Sequence, residues 1–145
     1  MATSDWYEHR IRARYAETDQ MGVIYHANYL NWFEIGRTEM IRELGMPYRS
    51  LEEKGLLLPV VELDVKFLKP AFYDDQIYIR TRITEMSHIR LTFDVQILRE
   101  EQEHDSAQLL VTGHTKHVWL NHNWKPVRID REAPELYALL VSAIG

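Results

Sequence analysis

The chain of 145 residues contains no cysteine, which removes disulfides, thiolate nucleophiles and cysteine-ligated zinc or iron–sulfur centres from consideration. Glycine and proline are sparse, at six and five residues, and neither is concentrated in one stretch. There is accordingly no linker, low-complexity tract or internal repeat to divide the chain, and residues 1–145 are expected to form a single domain. Long apolar runs are missing as well. The N-terminal stretch MATSDWYEHR has none, so no secretion signal is expected, and no segment approaches membrane-spanning length. A cytoplasmic location is the resulting expectation. Basic residues are outnumbered, 17 Lys and Arg against 22 Asp and Glu, for a net charge of −5. That balance argues against a general nucleic-acid binder and leaves room only for a local basic patch facing an anionic small molecule.

What the chain has is patterned. Tyr7, His9, Ile11, Ala13 and Tyr15 alternate with Glu8, Arg10, Arg12 and Arg14, the period-2 signature of a half-buried strand. Val61, Leu63, Val65 and Phe67 repeat it after Pro59. Further strands are expected over Gln76 to Met86, Ile89 to Leu98 and Gln108 to Leu120, with a reversal at MSH and a polar hairpin at REEQEHDSA. SLEEKG reads as a short helical turn, and a short helix is expected from Pro134 to Ile144. The long helix signal runs from about Ala27, with Leu30, Phe33, Met40, Ile41 and Leu44 recurring at spacings of three, four and seven, to a stop at Gly45 and Pro47. One strand, one long helix and four sequentially paired strands predict an α+β domain: a curved antiparallel sheet of about five strands wrapped around one central helix. An open sheet leaves edges, and long apolar edges invite pairing with a second copy.

Chemistry concentrates in YAETDQMGVIYHANYLNWFEIGRTEMIRELG, Tyr15 to Gly45. A loop with one central carboxylate, Asp19, and one turn glycine, Gly22, runs directly into the long helix. The first amides of a helix have no partner within it and sit at the positive end of its dipole. They suit an oxygen that turns negative during a reaction, while Asp19 attacks the attached carbonyl carbon or deprotonates a water that does. The competing reading is that Asp19 only closes an Asx-type turn onto amides two or three residues on.

These residues carry a resemblance. YAETDQMGVIYHANYLNWFEIGRTEMI, with FLKPAFYDD downstream, closely resembles the 4-hydroxybenzoyl-CoA thioesterase-like acyl-CoA thioesterases of the hotdog fold, over nearly the whole chain in strand order and length. The resemblance implies a hydrolase acting on a small-molecule acyl-CoA, with coenzyme A as part of the substrate, no cofactor and no metal. It implies Asp19 as the catalytic carboxylate and the backbone amide of His26 as donor to the thioester oxygen, with Tyr25 a candidate second donor. It further implies a homodimer or homotetramer whose active site lies at a subunit interface. Tyr15, Thr18, Gly22, Tyr25, Asn28 and Tyr29 are the expected substrate-side residues, Asn28 also being an N-cap candidate.

Other arrangements stay open from the sequence. An acyl group on acyl carrier protein is an alternative substrate, and a non-hydrolytic acyl-binding module or a dehydratase is an alternative use of the fold. Glu17 could pair with Asp19 and raise one carboxyl pKa. Glu34 and Glu39 lie on the helix, where another branch of hotdog thioesterases keeps its carboxylate, although Glu34 is also spaced to pair with Arg37. Lys66, Lys69, Arg90 and Arg128 are available to phosphates. Of the seven histidines, His114 and His117 should point to opposite faces of a strand, and His9, His26, His88, His104 and His122 show no ligand spacing.

Overall fold

The alternating segments form strands as their patterns dictate. A computed structural model describes residues 6–45, 48–101 and 106–144. Within it β1 (Tyr7–Arg12), β2 (Val60–Phe67), β3 (Gln76–Met86), β4 (Arg90–Glu100) and β5 (Ala107–Val118) make one antiparallel sheet in the order β1-β3-β4-β5-β2. β1 ends earlier than expected. Tyr15 opens a one-turn 3-10 helix, Tyr15–Glu17, and is 75% exposed instead of being the last inward residue of the strand.

Sequential pairing holds for β3, β4 and β5 and fails for β2, which crosses to the far edge and pairs with β5. Alternation identifies the inward face of a strand and says nothing about its neighbour. The crossing is bridged by α2 (Tyr48–Glu53) and by Leu57, whose backbone pairs with Leu120. On the outward face of β2, Glu62 pairs with Lys116 at 3.2 Å, and Asp64 Oδ1 lies 2.9 Å from His114 Nδ1. At the other end of the sheet Arg80 pairs with Glu8 at 2.9 Å, and Arg12 donates to the Asp74 carbonyl, so these arginines of β1 and β3 serve structure.

The long helix, α1 (His26–Glu43), ends at Leu44 and at Gly45, whose φ of +104° is a left-handed turn open to glycine. Pro47, the second expected stop, lies outside the described residues, as do positions 102–105 of the polar hairpin, with His104. The buried face of α1 is Tyr29, Trp32, Phe33, Gly36, Arg37, Met40 and Ile41, so Leu30, 39% exposed, is not part of the stripe expected for it. Trp32, Phe33 and Ile41 have essentially no exposed surface, and each contributes about 1.5–3 kcal/mol of burial. Close approach of helix to sheet depends on two glycines. A Cβ at Gly36 would stand 2.5 Å from Ile79 Cγ2 and from Thr81 Oγ1, and one at Gly113 would stand 2.6 Å from the Phe33 ring. Gly36→Val is therefore expected to lower stability by about 2–3 kcal/mol and the thermal midpoint by about 5–10 °C. A melting curve checks this, and an unchanged midpoint would show that α1 is not seated on Gly36.

The C-terminal segment adds a single turn not anticipated from sequence, α3 (Ile129–Glu132), and the expected α4 (Pro134–Ile144), which buries Leu136 and Leu140. His114 and His117 do face opposite sides of β5. His117 is buried, with Nδ1 3.2 Å from the Leu58 carbonyl and Nε2 2.8 Å from Thr115 Oγ1. Burial, reinforced by the nearby Arg37 charge, pushes the His117 pKa down from 6.5 to about 4. The unfolded chain thus takes up a proton that the folded chain refuses across that window. Stability is fully present above about pH 6.5 and is lost as pH falls toward 4. Denaturant titrations at pH 7 and pH 4.5 should show this loss, and His117→Gln should reduce it.

Candidate active site

The loop after β1 is fastened at both ends before it reaches α1. The Glu17 carboxylate accepts the Arg14 amide at 2.8 Å and the Trp32 indole N–H at 2.9 Å, and the Glu17 carbonyl accepts the Tyr25 amide and the Asn28 side-chain amide, each at 2.9 Å. Glu17 is buried, with its carboxylate committed to these partners, so it is not the carboxylate partner of Asp19 that its spacing allowed. Asn28 is correspondingly not the N-cap. Tyr25 holds that position without a side-chain cap, and Asn28 ties the first turn of α1 back to the loop.

Residues 18–24 form a tight reversal. Thr18 pairs with Ile24, the Asp19 amide donates to the Val23 carbonyl at 2.8 Å, the Gly22 amide donates to the Asp19 carbonyl at 3.1 Å, and Gly22 sits at φ +83°. The Met21 amide donates to Asp19 Oδ1 at 2.8 Å, so the Asx turn is real. It engages one carboxylate oxygen. Among the described residues Oδ2 is left without a hydrogen bond, and Asp19 lines a cavity of about 250 Å³. Turn closure and a reactive position are therefore compatible: the amide orients the carboxylate while its second oxygen stays available.

The same cavity is lined by His26, the first residue of α1, and by Tyr29 one turn on. The Tyr25 amide is already used by the Glu17 carbonyl, which removes it as the second donor expected beside His26. The amides of His26 and Ala27 donate to no backbone carbonyl among the described residues, as the first turn of a helix requires. With 18 residues, α1 is about 27 Å long and presents its positive end to this cavity.

The opposite wall comes from the end of β2 and the segment that follows it. Phe67, Leu68, Lys69 and Pro70 line it, and Met21, Val23 and Ile24 complete the apolar lining. Tyr29 joins the two walls: its hydroxyl accepts the Ala71 amide at 2.9 Å, and its ring lies 5.7 Å from that of Phe67. Burial pushes the Tyr29 phenol above its ordinary pKa, so it acts here as a neutral hydroxyl. Arg99 braces the segment from below, donating to the Pro70 carbonyl at 3.0 Å and pairing with Asp75 at 3.2 Å.

Of the residues singled out in the sequence, Asp19, His26 and Tyr29 meet in the cavity. Tyr15, Thr18, Gly22, Tyr25 and Asn28 do not line it and belong to the loop that carries Asp19 and to its junction with α1. Tyr15 packs edge-on against Tyr73, Thr18 Oγ1 donates to the Tyr15 carbonyl at 2.7 Å, and the Tyr25 ring covers His26. The wall formed by Phe67, Leu68 and Pro70 is not among the site residues expected from sequence, where FLKPAFYDD ends a strand and carries part of the resemblance without any of its residues being assigned to the site. Among the cations considered for phosphates, Lys69 lines this cavity, whereas Arg128 is committed to Asp130 at 2.7 Å. Among the described residues no group of three His, Asp or Glu side chains is arranged to hold a metal ion, and no helix is long and apolar enough to cross a membrane.

Comparison with known proteins places these features in context. Residues 13–138 match the thioesterase-like superfamily. A Bacillus subtilis chain, YneP, which carries a provisional acyl-CoA thioesterase name, is 34% identical over 126 residues, 86% of this chain and 88% of its own. The Escherichia coli acyl-CoA thioester hydrolase YbgC (strain CFT073) is 35% identical over 91 residues, 63% of this chain and 68% of its own. Among solved structures, the DHNA-CoA thioesterase of Staphylococcus aureus superposes with a TM-score of 0.87 at 36% identity, covering 94% of this chain and 89% of that one.

Proposed function

The chain belongs to the thioesterase-like superfamily of hotdog enzymes, and on that premise we propose that it is an acyl-CoA thioesterase using Asp19 and the N-terminus of α1. The observation that supports this most is the meeting of Asp19 and His26 in one cavity, with the His26 and Ala27 amides unspent. A thioester carbonyl placed between them has its oxygen at the amides and its carbon toward Asp19. As the carbonyl carbon becomes tetrahedral, charge moves onto that oxygen, and donors fixed in advance stabilise it without reorganising. Asp19 either takes a proton from the water that adds to the carbon or adds itself, forming an anhydride that water then opens. In both routes the C–S bond breaks, the thiol of coenzyme A leaves with a proton, and a carboxylic acid is released. The chemistry draws on Asp19, the helix amides and water alone.

We further propose that the working unit is a homodimer or a tetramer built from one. β2 is an edge strand, and its Val61, Leu63 and Phe67 are 54%, 45% and 54% exposed. An exposed apolar edge next to the reactive cavity is most readily covered by the same edge of a second copy.

A hydrolysis screen over short, long and aryl acyl-CoA thioesters, read by release of free thiol, tests the reading. The absence of cysteine gives the protein no thiol background of its own. Turnover of at least one class is expected, with Asp19→Asn run beside it. Failure on all of them, together with hydrolysis of acyl groups on acyl carrier protein, would transfer the activity to that substrate.

A further inference from the structure

Tyr29 stands one turn into α1 and lines the Asp19 cavity, yet only half of its hydroxyl is used. The oxygen accepts the Ala71 amide at 2.9 Å, and among the described residues the O–H donates to nothing. At 3% exposure the residue is shut off from bulk water, where a donor without an acceptor is costly. The accepting side is fixed from behind. Arg99 donates to the Pro70 carbonyl at 3.0 Å and pairs with Asp75 at 3.2 Å, and the Asp75 carboxylate accepts the Phe72 amide at 2.8 Å, so the residues on both sides of Ala71 are held. Burial outweighs the Ala71 bond and the Arg99 charge, and the Asp75 and Asp19 charges act in the same direction as burial. The phenol is therefore held above its ordinary pKa and keeps its proton.

Asp19 supplies the counterpart. Its Oδ1 is taken by the Met21 amide, and its Oδ2 has no hydrogen bond among the described residues. Apart from Asp19, Tyr29, Lys69 and the His26 ring, the side chains lining the cavity are apolar. We propose that Tyr29 holds the hydrolytic water: its O–H donates to the water oxygen, the water donates one proton to Asp19 Oδ2, and the remaining lone pair is left for the thioester carbon. This rests on the thioesterase reading above and goes beyond it, giving Tyr29 a task in the chemical step and Asp19 the part of general base. A water fixed in such a cavity needs roughly two to four polar partners, and Tyr29 and Asp19 offer it a donor and an acceptor in complementary roles. As the water oxygen bonds to the carbonyl carbon, its proton passes to Asp19 and the carbonyl electrons move to the oxygen at the helix amides. When the C–S bond breaks, the sulfur takes that proton from Asp19, which is again a carboxylate.

Tyr29→Phe, which removes only the hydroxyl, tests this. Acyl-CoA hydrolysis is run with methanol present, and the acid and the methyl ester are both measured. In Tyr29→Phe kcat should fall about 10–100-fold while KM stays within about threefold of wild type. The ratio of ester to acid should rise on the order of tenfold, because water has lost the bond that favours it over the alcohol. Arg99→Met loosens the wall and keeps the O–H, so it should leave the ratio unchanged. Replacement of Tyr29 by a ring-fluorinated tyrosine keeps shape and donor but lowers the pH at which the phenol ionises. The alkaline limb of kcat should then move to lower pH, since a phenolate cannot donate. An unchanged ratio in Tyr29→Phe, or an equal rise in Arg99→Met, would overturn the proposal. So would an alkaline limb that stays in place in the fluorinated protein, a result that decides even if Tyr29→Phe does not fold. In each of these cases the wild type still cleaves acyl-CoA and the thioesterase reading stands, whereas a wild type that turns over no thioester overturns both.

Discussion

Asp19→Asn is expected to lower kcat by about 10³-fold or more while KM stays within about threefold of wild type. The substitution is nearly isosteric. The side-chain oxygen of Asn can still accept the Met21 amide, the bond of 2.8 Å that closes the turn, so the loop is expected to keep its shape. What is lost is the negative charge on the available oxygen, and with it both the capacity to take a proton from water and the capacity to add to a carbonyl. A loss in KM instead of kcat would mean that Asp19 holds substrate and does not act in the chemical step. Single-turnover hydrolysis in ¹⁸O-labelled water separates the two routes: water that opens an anhydride at the Asp19 carbonyl leaves its label in the enzyme carboxylate, whereas water activated by Asp19 leaves its label only in the released acid.

The second large effect is expected at His26, and it depends on which atom is removed. His26→Ala keeps the backbone amide and should cost less than about tenfold in kcat, whereas His26→Pro deletes that amide and should cost about 10²–10³-fold. Proline is an apt probe here. His26 is the first residue of α1, where proline is favoured because the missing N–H has no partner in the helix. The preceding residue, Tyr25, already has φ −62° and ψ 132°, the extended conformation a following proline requires. The variant should therefore fold normally, and its circular dichroism and melting midpoint should match those of His26→Ala. Equal rates for the two variants would show that the His26 amide does not meet the substrate.

The reactive stretch was legible because it is local: a carboxylate, a turn glycine and a helix start within a few residues leave few geometries open. The same locality made α1 readable in extent but less so in orientation. Leu30 looked apolar enough to belong to the buried stripe, yet the seam is set by Gly36, whose lack of a side chain lets Ile79 and Thr81 approach, and by Tyr29 and Trp32, which place polar atoms on buried partners. A glycine chosen for closeness and an aromatic chosen for a single hydrogen bond both look weak to a periodicity count. The position of β2 was illegible for a different reason. Its pattern fixes a face, while its pairing with β5 is a long-range choice that joins residues about fifty positions apart, Glu62 with Lys116 and Asp64 with His114 among them. That choice also brings Phe67 to Pro70 against the Asp19 loop, so half of the cavity wall was hidden together with it.

The central claim is that a thioester carbonyl is polarised by the first amides of α1 while Asp19 stands at its carbon. The infrared C=O stretch of a bound acyl-CoA, recorded as a difference spectrum in Asp19→Asn to prevent turnover, tests it most directly. The band should move to lower wavenumber than that of the free thioester in Asp19→Asn and in Asp19→Asn with His26→Ala, and most of that shift should vanish in Asp19→Asn with His26→Pro. A band at the free-thioester position in Asp19→Asn, or an equal shift with and without the His26 amide, would contradict the account.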